Sequence, residues 1–558
     1  MRLASIAIVL TSAGLLSQCD SGALPESLGV EFALVDGRFY TMDSSAPWAE
    51  AVLVSDGRIT FVGTTEEVMD RRAPEASVVE LDGRLVLPGL HDVHTHPLEA
   101  RSPIAGTCLL DGQETDPERF VRELRACAPD QRASSWVLGF GHSIFTLLDA
   151  QRPPVEILDE AIPDRPAAIM EETSHSVWVN SAGLTAAGIT ASTPNPPGGV
   201  IVKDPATGAP TGILFDSAGD KVFDLAWLPS PETAELNVSG LLEAVSELNA
   251  NGITSVAEGR TYWRRDFHKA WLEAERQGGL TVRAVLNLWA YPGDTDTEQL
   301  AALAALHSSR GDRVRMDQIK VYSDGILINT TAALHAPYQS LLPGIDALTG
   351  LNYFTEDRLT AYLQALPQFD FHIHAIGDRG VHEALNAVER AGRLDHRHRI
   401  THLEIVDPAD YARFAELNVT ADMQVAGAFT QPSAWQDNEP LVGERAHPFV
   451  PLRSLHEAGA RITLSSDWDV STLNPFVGMQ NALTRDPQAL PSVHDAVMAY
   501  TLNAAYALGQ EDLTGSVEVG KAADFVVVDR NIFEIPIDQI SRTRVDLTVF
   551  DGTVVYRR

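Results

Sequence analysis

His94-Thr95-His96 places two strong metal donors two residues apart. On an extended strand, residues i and i+2 point to the same side, so both imidazoles face one space. His374, His402 and Asp467 each close a short apolar run of strand character elsewhere in the chain. A single histidine at a strand end is usually a hydrogen-bonded packing residue. Four at matched positions, with an aspartate, make a nitrogen and oxygen donor set suited to one or two divalent ions, zinc, iron and manganese among them. Lys320 closes a further run at the same depth. An ammonium there would be repelled by the metals. As a carbamate, formed with carbon dioxide, it would bridge two ions about 3.5–4 Å apart. The other reading is an ordinary lysine paired with Asp324.

Such donors must be held by a scaffold that brings strand ends to one place. Eight apolar runs qualify as strands: 87–94, 252–257, 282–288, 319–322, 371–375, 399–402, 419–423 and 462–467. Helical patterns such as Leu241–Asn249 and Val381–Ala391 lie between several of them. Strand–helix alternation repeated in this way predicts an α/β chain folded as a (β/α)8 TIM barrel, whose active site sits at the strand C-termini. Every donor named above lies at such an end.

The flanking segments have a different texture. Residues 24–86 and 509–558 carry short β-rich runs with Asp-Gly turns at Asp36-Gly37, Asp56-Gly57 and Asp551-Gly552. These are hairpin signals, and they predict one composite β-sandwich built from both ends around a barrel at 87–508. Residues of roughly 100–245 interrupt the alternation after the first strand. This stretch, Pro- and Gly-rich around Thr193–Gly199, reads as an insertion over the barrel mouth.

Met1-Arg2 followed by the apolar run Leu3–Leu16 reads as a secretory signal, too short to span a membrane. It ends in Leu15-Leu16-Ser17-Gln18-Cys19, similar to a bacterial lipoprotein box in which Cys19 would be lipidated. The expectation is export to the periplasm, free or anchored as a lipoprotein. Cys108 and Cys127 either pair as a disulfide there or stay as free thiols. The 76 acidic residues against 42 basic ones give a formal net charge of −34, which repels nucleic acid and anionic lipid and excludes both as partners. Membrane contact is expected only through a lipid anchor.

Taken together, these motifs resemble the amidohydrolase superfamily, and within it family 3, the YtcJ-like group that includes N-substituted formamide deformylases. The resemblance is carried by Leu87–His96, by His175 with Asn180-Ser181, by Gly198–Ile201 with Thr211–Leu214, by Ile319–Gly325, by His374–Asp378, by Ser466–Trp468 and by Thr514–Asp524. It implies the barrel with its composite β-sandwich, a mono- or binuclear centre, usually of zinc, a small-molecule amide as substrate, and a homodimer. It implies for His175 a place in the site, as a hydrogen-bond donor to a developing oxyanion or as a packing residue of the lid. Tyr322, Asp324, Trp178 and Trp468 become candidate pocket residues. Three positions depart from the usual pattern: Asp469 in place of proline after Trp468, Thr401 in place of glutamate before His402, and Val425 in place of proline after Met423-Gln424.

The expected reaction is hydrolysis of a non-peptide C–N bond. Metals lower the pKa of a bound water from 15.7 toward ~7. Asp467 would accept the proton of that nucleophile and pass it to the leaving nitrogen, since an amide anion leaves badly. A cyclic amide, lactone or ester hydrolase would use the same centre. A non-catalytic exported binding protein would keep the fold without the reaction.

Overall fold

The computed structural model describes residues 26–101, 108–131, 134–309 and 313–558; the apolar leader and Cys19 lie outside these residues. Eight parallel strands form one sheet. They are β1 (Leu90–Thr95), β2 (Ile253–Thr261), β3 (Arg283–Trp289), β4 (Val314–Tyr322), β5 (Asp370–Ala375), β6 (Arg399–His402), β7 (Thr420–Met423) and β8 (Arg461–Leu464). Neighbours in sequence pair in space, as short right-handed crossovers require. β2 and β3 are buried along their whole length, as strands covered on both faces must be. The seam between β8 and β1 is closed by two hydrogen bonds. Asp467 N donates to His94 O at 2.8 Å, and His96 N donates to Trp468 O at 2.7 Å. The (β/α)8 barrel read from the alternation is therefore the fold of the chain.

A seven-stranded and a four-stranded sheet lie outside the barrel. In the first, Glu26–Ser27 pairs with Thr553–Arg557, and Phe525–Val528 pairs with Leu85–Pro88. Phe32, Leu34 and Val52 of the smaller sheet pack with Phe39, Phe525 and Val549 of the larger in one apolar layer. The chain passes from this layer into β1 at Gly89, where any Cβ would collide with Thr254. Arg283, at the first position of β3, forms ion pairs with Asp524 and Asp551 of the outer sheet.

After β1 the chain builds a separate five-stranded sheet, in the order Val137–His142, Ala167–Glu171, Ser176–Val179, Pro210–Asp216, Gly199–Lys203. The helix Pro117–Cys127 covers it, and a disulfide joins Cys127 to Cys108 with Cα atoms 5.4 Å apart. The inserted unit ends sooner than the composition implied. A helix at Pro231–Ala250 belongs to the barrel's outer layer, with Leu241, Ala244, Val245 and Leu248 in the main core. Its start is set by Ser230, which caps Thr233 N reciprocally, and by proline at the first turn. Leu241 and Leu248 are fully buried, each contributing roughly 1.5–3 kcal/mol.

The disulfide spans a sequence separation of 19 residues. Chain-entropy arithmetic for a loop of that size gives about 3 kcal/mol. Replacing Cys127 by serine should lower the unfolding temperature by several degrees in calorimetry. Reductant should do the same to the wild type and nothing to the variant.

Candidate metal centre

Asp467 stands just beyond β8 in the left-handed region (φ 51°), and His402 ends β6 in the same region (φ 78°). Such backbone is costly for side-chain-bearing residues and is kept where the surroundings over-determine it. Here the turns aim both side chains at the barrel axis. The two Asp467 oxygens divide between neighbours. Oδ1 lies 3.3 Å from His94 Nε2 and 3.1 Å from His96 Nε2, while Oδ2 lies 3.9 Å from His402 Nδ1.

Hydrogen bonds assign the histidine tautomers. Thr401 Oγ1 donates to Asp422 Oδ2 at 2.7 Å, so it accepts from His94 Nδ1 at 2.8 Å. The proton of His94 is thus on Nδ1, and its Nε2 lone pair faces Asp467. His96 turns its Nδ1 edge to Glu99, 3.1 Å away, and its Nε2 edge to the same Asp467 oxygen. His374 donates from Nε2 to the Gly325 carbonyl at 3.2 Å, which leaves Nδ1 as a buried acceptor with no partner among the described residues. Its ring lies 4.4 Å from that of His402 and stacks on Tyr322 at 4.0 Å. The unprotonated Nε2 of His94 thus lies 3.3 Å from a carboxylate oxygen, two ligand atoms that a cation between them would satisfy. This is the second-sphere arrangement that prepares imidazoles for a metal.

Lys320 on β4 is fully buried, with Nζ 3.2 Å from His94 Nε2 and 3.3 Å from His372 Nε2. Burial holds its amine well below the ordinary lysine value, opposed in part by Asp467. It forms no ion pair with Asp324. The Asp324 carboxylate is fully taken by the backbone N–H groups of Ala333, Ile376 and Gly377, at 2.8, 2.9 and 2.8 Å. Asp324 therefore ties the loops after β4 and β5 together and does not line a pocket, a correction to the sequence expectation. Trp178 is a second correction. It is fully buried in the inserted unit against Phe120 and His142, with its indole N–H on Pro154 O at 2.7 Å.

His175 does reach the centre. Its ring is 5.5 Å from His374 and 5.6 Å from Tyr322, and Nδ1 lies 2.7 Å from Asp216 Oδ1, which leaves Nε2 toward the site. Tyr322 accepts a hydrogen bond from Arg260 at 3.0 Å. Trp468 lies next to the seam with the Arg101 guanidinium 4.9 Å above its ring.

Several participants escaped the sequence reading. His372 is two positions before His374 on β5, and the spacing rule applied at His94 would have flagged it. Its role is different, however. Arg399 donates to its Nδ1 at 2.9 Å, so Nε2 carries the proton and points at Lys320. His94, His372 and Asp422 also cluster within metal-binding range. Asp422 is nevertheless saturated by Thr401, Gln424, Thr463 and Ser465, and serves as a buttress. Glu99 follows His96 by one helical turn. Burial would raise its carboxyl, but Arg260 and His96 hold it at about 2. Burial opposes ionisation of Asp467 too, and the surrounding histidines and Lys320 hold it well below the carboxylate range all the same.

A model of the amidohydrolase family matches residues 77–556. The chain belongs to the amidohydrolase family. The amidohydrolase YtcJ of Bacillus subtilis (strain 168) is 28% identical over 547 residues, 94% of this chain and 98% of that protein. The N-substituted formamide deformylase of Arthrobacter pascens is 26% identical over 548 residues, 95% of this chain and 98% of that protein. An uncharacterised metal-dependent hydrolase from Pyrococcus horikoshii OT3 superposes with a TM-score of 0.72 at 22% identity, over 91% of this chain and 99% of that one. This amidohydrolase thus carries histidine and aspartate groups that could hold a metal ion.

Space at the centre is limited by Gly259 on β2. A Cβ there would lie 2.6 Å from His94 Cδ2 and 2.9 Å from His96 Cε1, closer than any side chain tolerates. Gly259→Ala should therefore displace both imidazoles. Elemental analysis should find the variant depleted in metal while its far-UV circular dichroism stays that of the wild type. Full metal content would show that the two histidines can move freely.

Proposed function

We propose that this amidohydrolase is metal-dependent and cleaves a linear amide of the N-acyl or N-formyl amine class, with His94, His96, His374, His402 and Asp467 holding the metal and Lys320, as a carbamate, joining two ions. The observation that carries this reading is the convergence of His94, His96 and His402 on the oxygens of Asp467, with the His94 tautomer fixed by Thr401 on the far side of its ring. The deformylase relative supports the bond class. Nitrogen and carboxylate donors suit zinc. A divalent ion bound there lowers the pKa of a water ligand and polarises a carbonyl.

The chain's own groups do the rest. Asp467 is kept ionised, so it can take a proton from the attacking water and return it to the leaving nitrogen. His175, oriented by Asp216, stands where its Nε2 can donate to an oxyanion forming at the carbonyl. Tyr322, clamped by Arg260 and flat against His374, and Trp468 at the seam bound the space on two sides. The Lys320 carbamate reading gains from the absence, among the described residues, of any carboxylate paired with this amine. The His372 Nε2 proton aimed at it would serve a carbamate oxygen. The Cys108–Cys127 bridge supports export to an oxidising compartment, as does the leader at 1–19.

Asp467→Asn should reduce turnover of an N-formyl alkylamine by on the order of 10²–10⁴-fold in a fold unchanged by circular dichroism. Wild-type rates would remove Asp467 from the proton path. Lys320→Ala should carry less metal per chain, and a short-chain carboxylate should restore part of it. Metal content equal to the wild type would leave Lys320 as a structural residue.

A further inference from the structure

A second cavity lies away from the metal donors, where the inserted unit meets the barrel. Its volume is about 420 Å³, and it shares no lining residue with the metal centre. One wall is apolar and comes from the insertion. Pro194 and Pro196 stand in the Pro- and Gly-rich turn, Ile201 in the strand Gly199–Lys203, and Leu225 in the short helix Asp220–Ala226. The prolines stiffen the backbone of that wall. The facing wall comes from the loops after β2 and β3, which contribute Arg264, Tyr291 and Asp294. An apolar recess of this size with a few converging polar groups is the usual form of a small-molecule site.

The polar groups select the charge of a ligand. Three carboxylates line the cavity, those of Asp220, Asp224 and Asp294. Two of them are taken by the chain itself. Arg264 pairs with Asp294 and lies 3.7 Å from Asp224, and Arg265 reaches Asp224 at 3.3 Å. The Arg264 guanidinium also sits 4.2 Å above the Tyr291 ring, so this corner already holds one cation against an aromatic face. Asp220 is the carboxylate left over. It accepts no hydrogen bond and forms no ion pair among the described residues. Lys221, also on the lining, is exposed and pairs with no carboxylate among the described residues.

A second group stands unpaired beside it. Tyr291 is 2% exposed, and its hydroxyl has no partner among the described residues. Burial, reinforced by Asp224 and Asp220, keeps that hydroxyl protonated. A buried hydroxyl without a partner costs stability until a ligand supplies one. The three carboxylates are not among the groupings whose ligand atoms lie within 4.8 Å of one another, so they are spread too widely to share one metal ion. An organic cation, with an apolar body for the proline wall, matches the lining better.

We infer that this cavity is a second small-molecule site, separate from the metal centre, for a primary ammonium carried on an aliphatic body. The ammonium lies between Asp220 and the Tyr291 hydroxyl, and the body rests against Pro194, Pro196, Ile201 and Leu225. Charge-assisted hydrogen bonds to Asp220 discriminate against an uncharged molecule of the same shape.

The test reads binding and needs no turnover, so its outcome does not depend on which bond the metal centre cleaves. Calorimetry on the full metal-loaded chain compares cyclohexylammonium with cyclohexanol, its uncharged counterpart. Burial pushes the Asp220 carboxyl up to about 7, against the pull of Arg265. The comparison is therefore made at about pH 8.5, where Asp220 is ionised and an alkylammonium, like lysine at ~10.4, keeps its proton. The wild type should bind the ammonium about tenfold more tightly than the alcohol, or better, the share of a charge-assisted hydrogen bond. Asp220→Asn should abolish that preference, and Tyr291→Phe should weaken it severalfold. Both variants should unfold close to the wild-type temperature, since neither polar group supports a neighbour. Equal affinities, binding of neither molecule, or a preference that survives in Asp220→Asn would overturn the site. Binding of calcium alone, lost in Asp220→Asn, would overturn it in favour of a metal site. Should Asp220→Asn not fold, Tyr291→Phe decides in its place, and an undiminished preference there overturns the site.

Discussion

The Nε2 edges of His94 and His96 both lie within 3.3 Å of Asp467 Oδ1, a convergence of ligand atoms that a bound cation would occupy. Much of the surrounding structure serves to maintain it. The Thr401 hydroxyl sets the His94 tautomer because Asp422 takes its proton, and Asp422 is in turn fixed by Gln424, Thr463 and Ser465. Glu99 and Arg260 perform the corresponding task for His96. The same residues close the barrel, since the β1–β8 seam consists of hydrogen bonds from Asp467 to His94 and from His96 to Trp468. Binding site and sheet closure are one construction, so an ion held there also fastens the last strand to the first.

The sequence revealed most where function imposes a period. Histidines at spacing two and a donor at each strand end were legible because alternation dictates which way a strand side chain points. Eight apolar runs were legible because strands buried on both faces must be apolar. Legibility failed where a residue's meaning depends on a partner far away in the chain. Trp178 and His175 stand three positions apart, one packed within the inserted sheet and the other against Tyr322, and no local signal separates them. Asp324 resembles a pocket acid until Ala333, Ile376 and Gly377 are seen to occupy both of its oxygens. His372 obeys the spacing rule, yet Arg399 assigns it the opposite tautomer. The departure at Thr401 proves to be the group that orients His94.

The inserted unit after β1 explains how a conserved type of barrel acquires an individual mouth. It has its own sheet, its own apolar layers and a covalent clasp at Cys108–Cys127. Its apolar layer also takes in Ile345 from the loop after β4, so His175 and Asp216 are presented to the centre by a unit anchored on the barrel. The barrel supplies the metal donors, and the insertion supplies what stands opposite them.

The pairing of Glu26–Ser27 with Thr553–Arg557 joins the two ends of the described chain in one sheet. The seven-stranded sheet therefore cannot be completed until the last strands have been made, whereas the four-stranded sheet draws only on residues 31–80. Leu85–Pro88 must wait for Phe525–Val528, a partner more than four hundred residues downstream. During synthesis, the Leu85–Pro88 strand carries an unpaired edge of the kind that invites association with other chains. Assembly of this fold is thus decided by the segment from Phe525 onward, and a carboxy-terminal truncation would expose Leu85–Pro88 near the opposite end of the sequence.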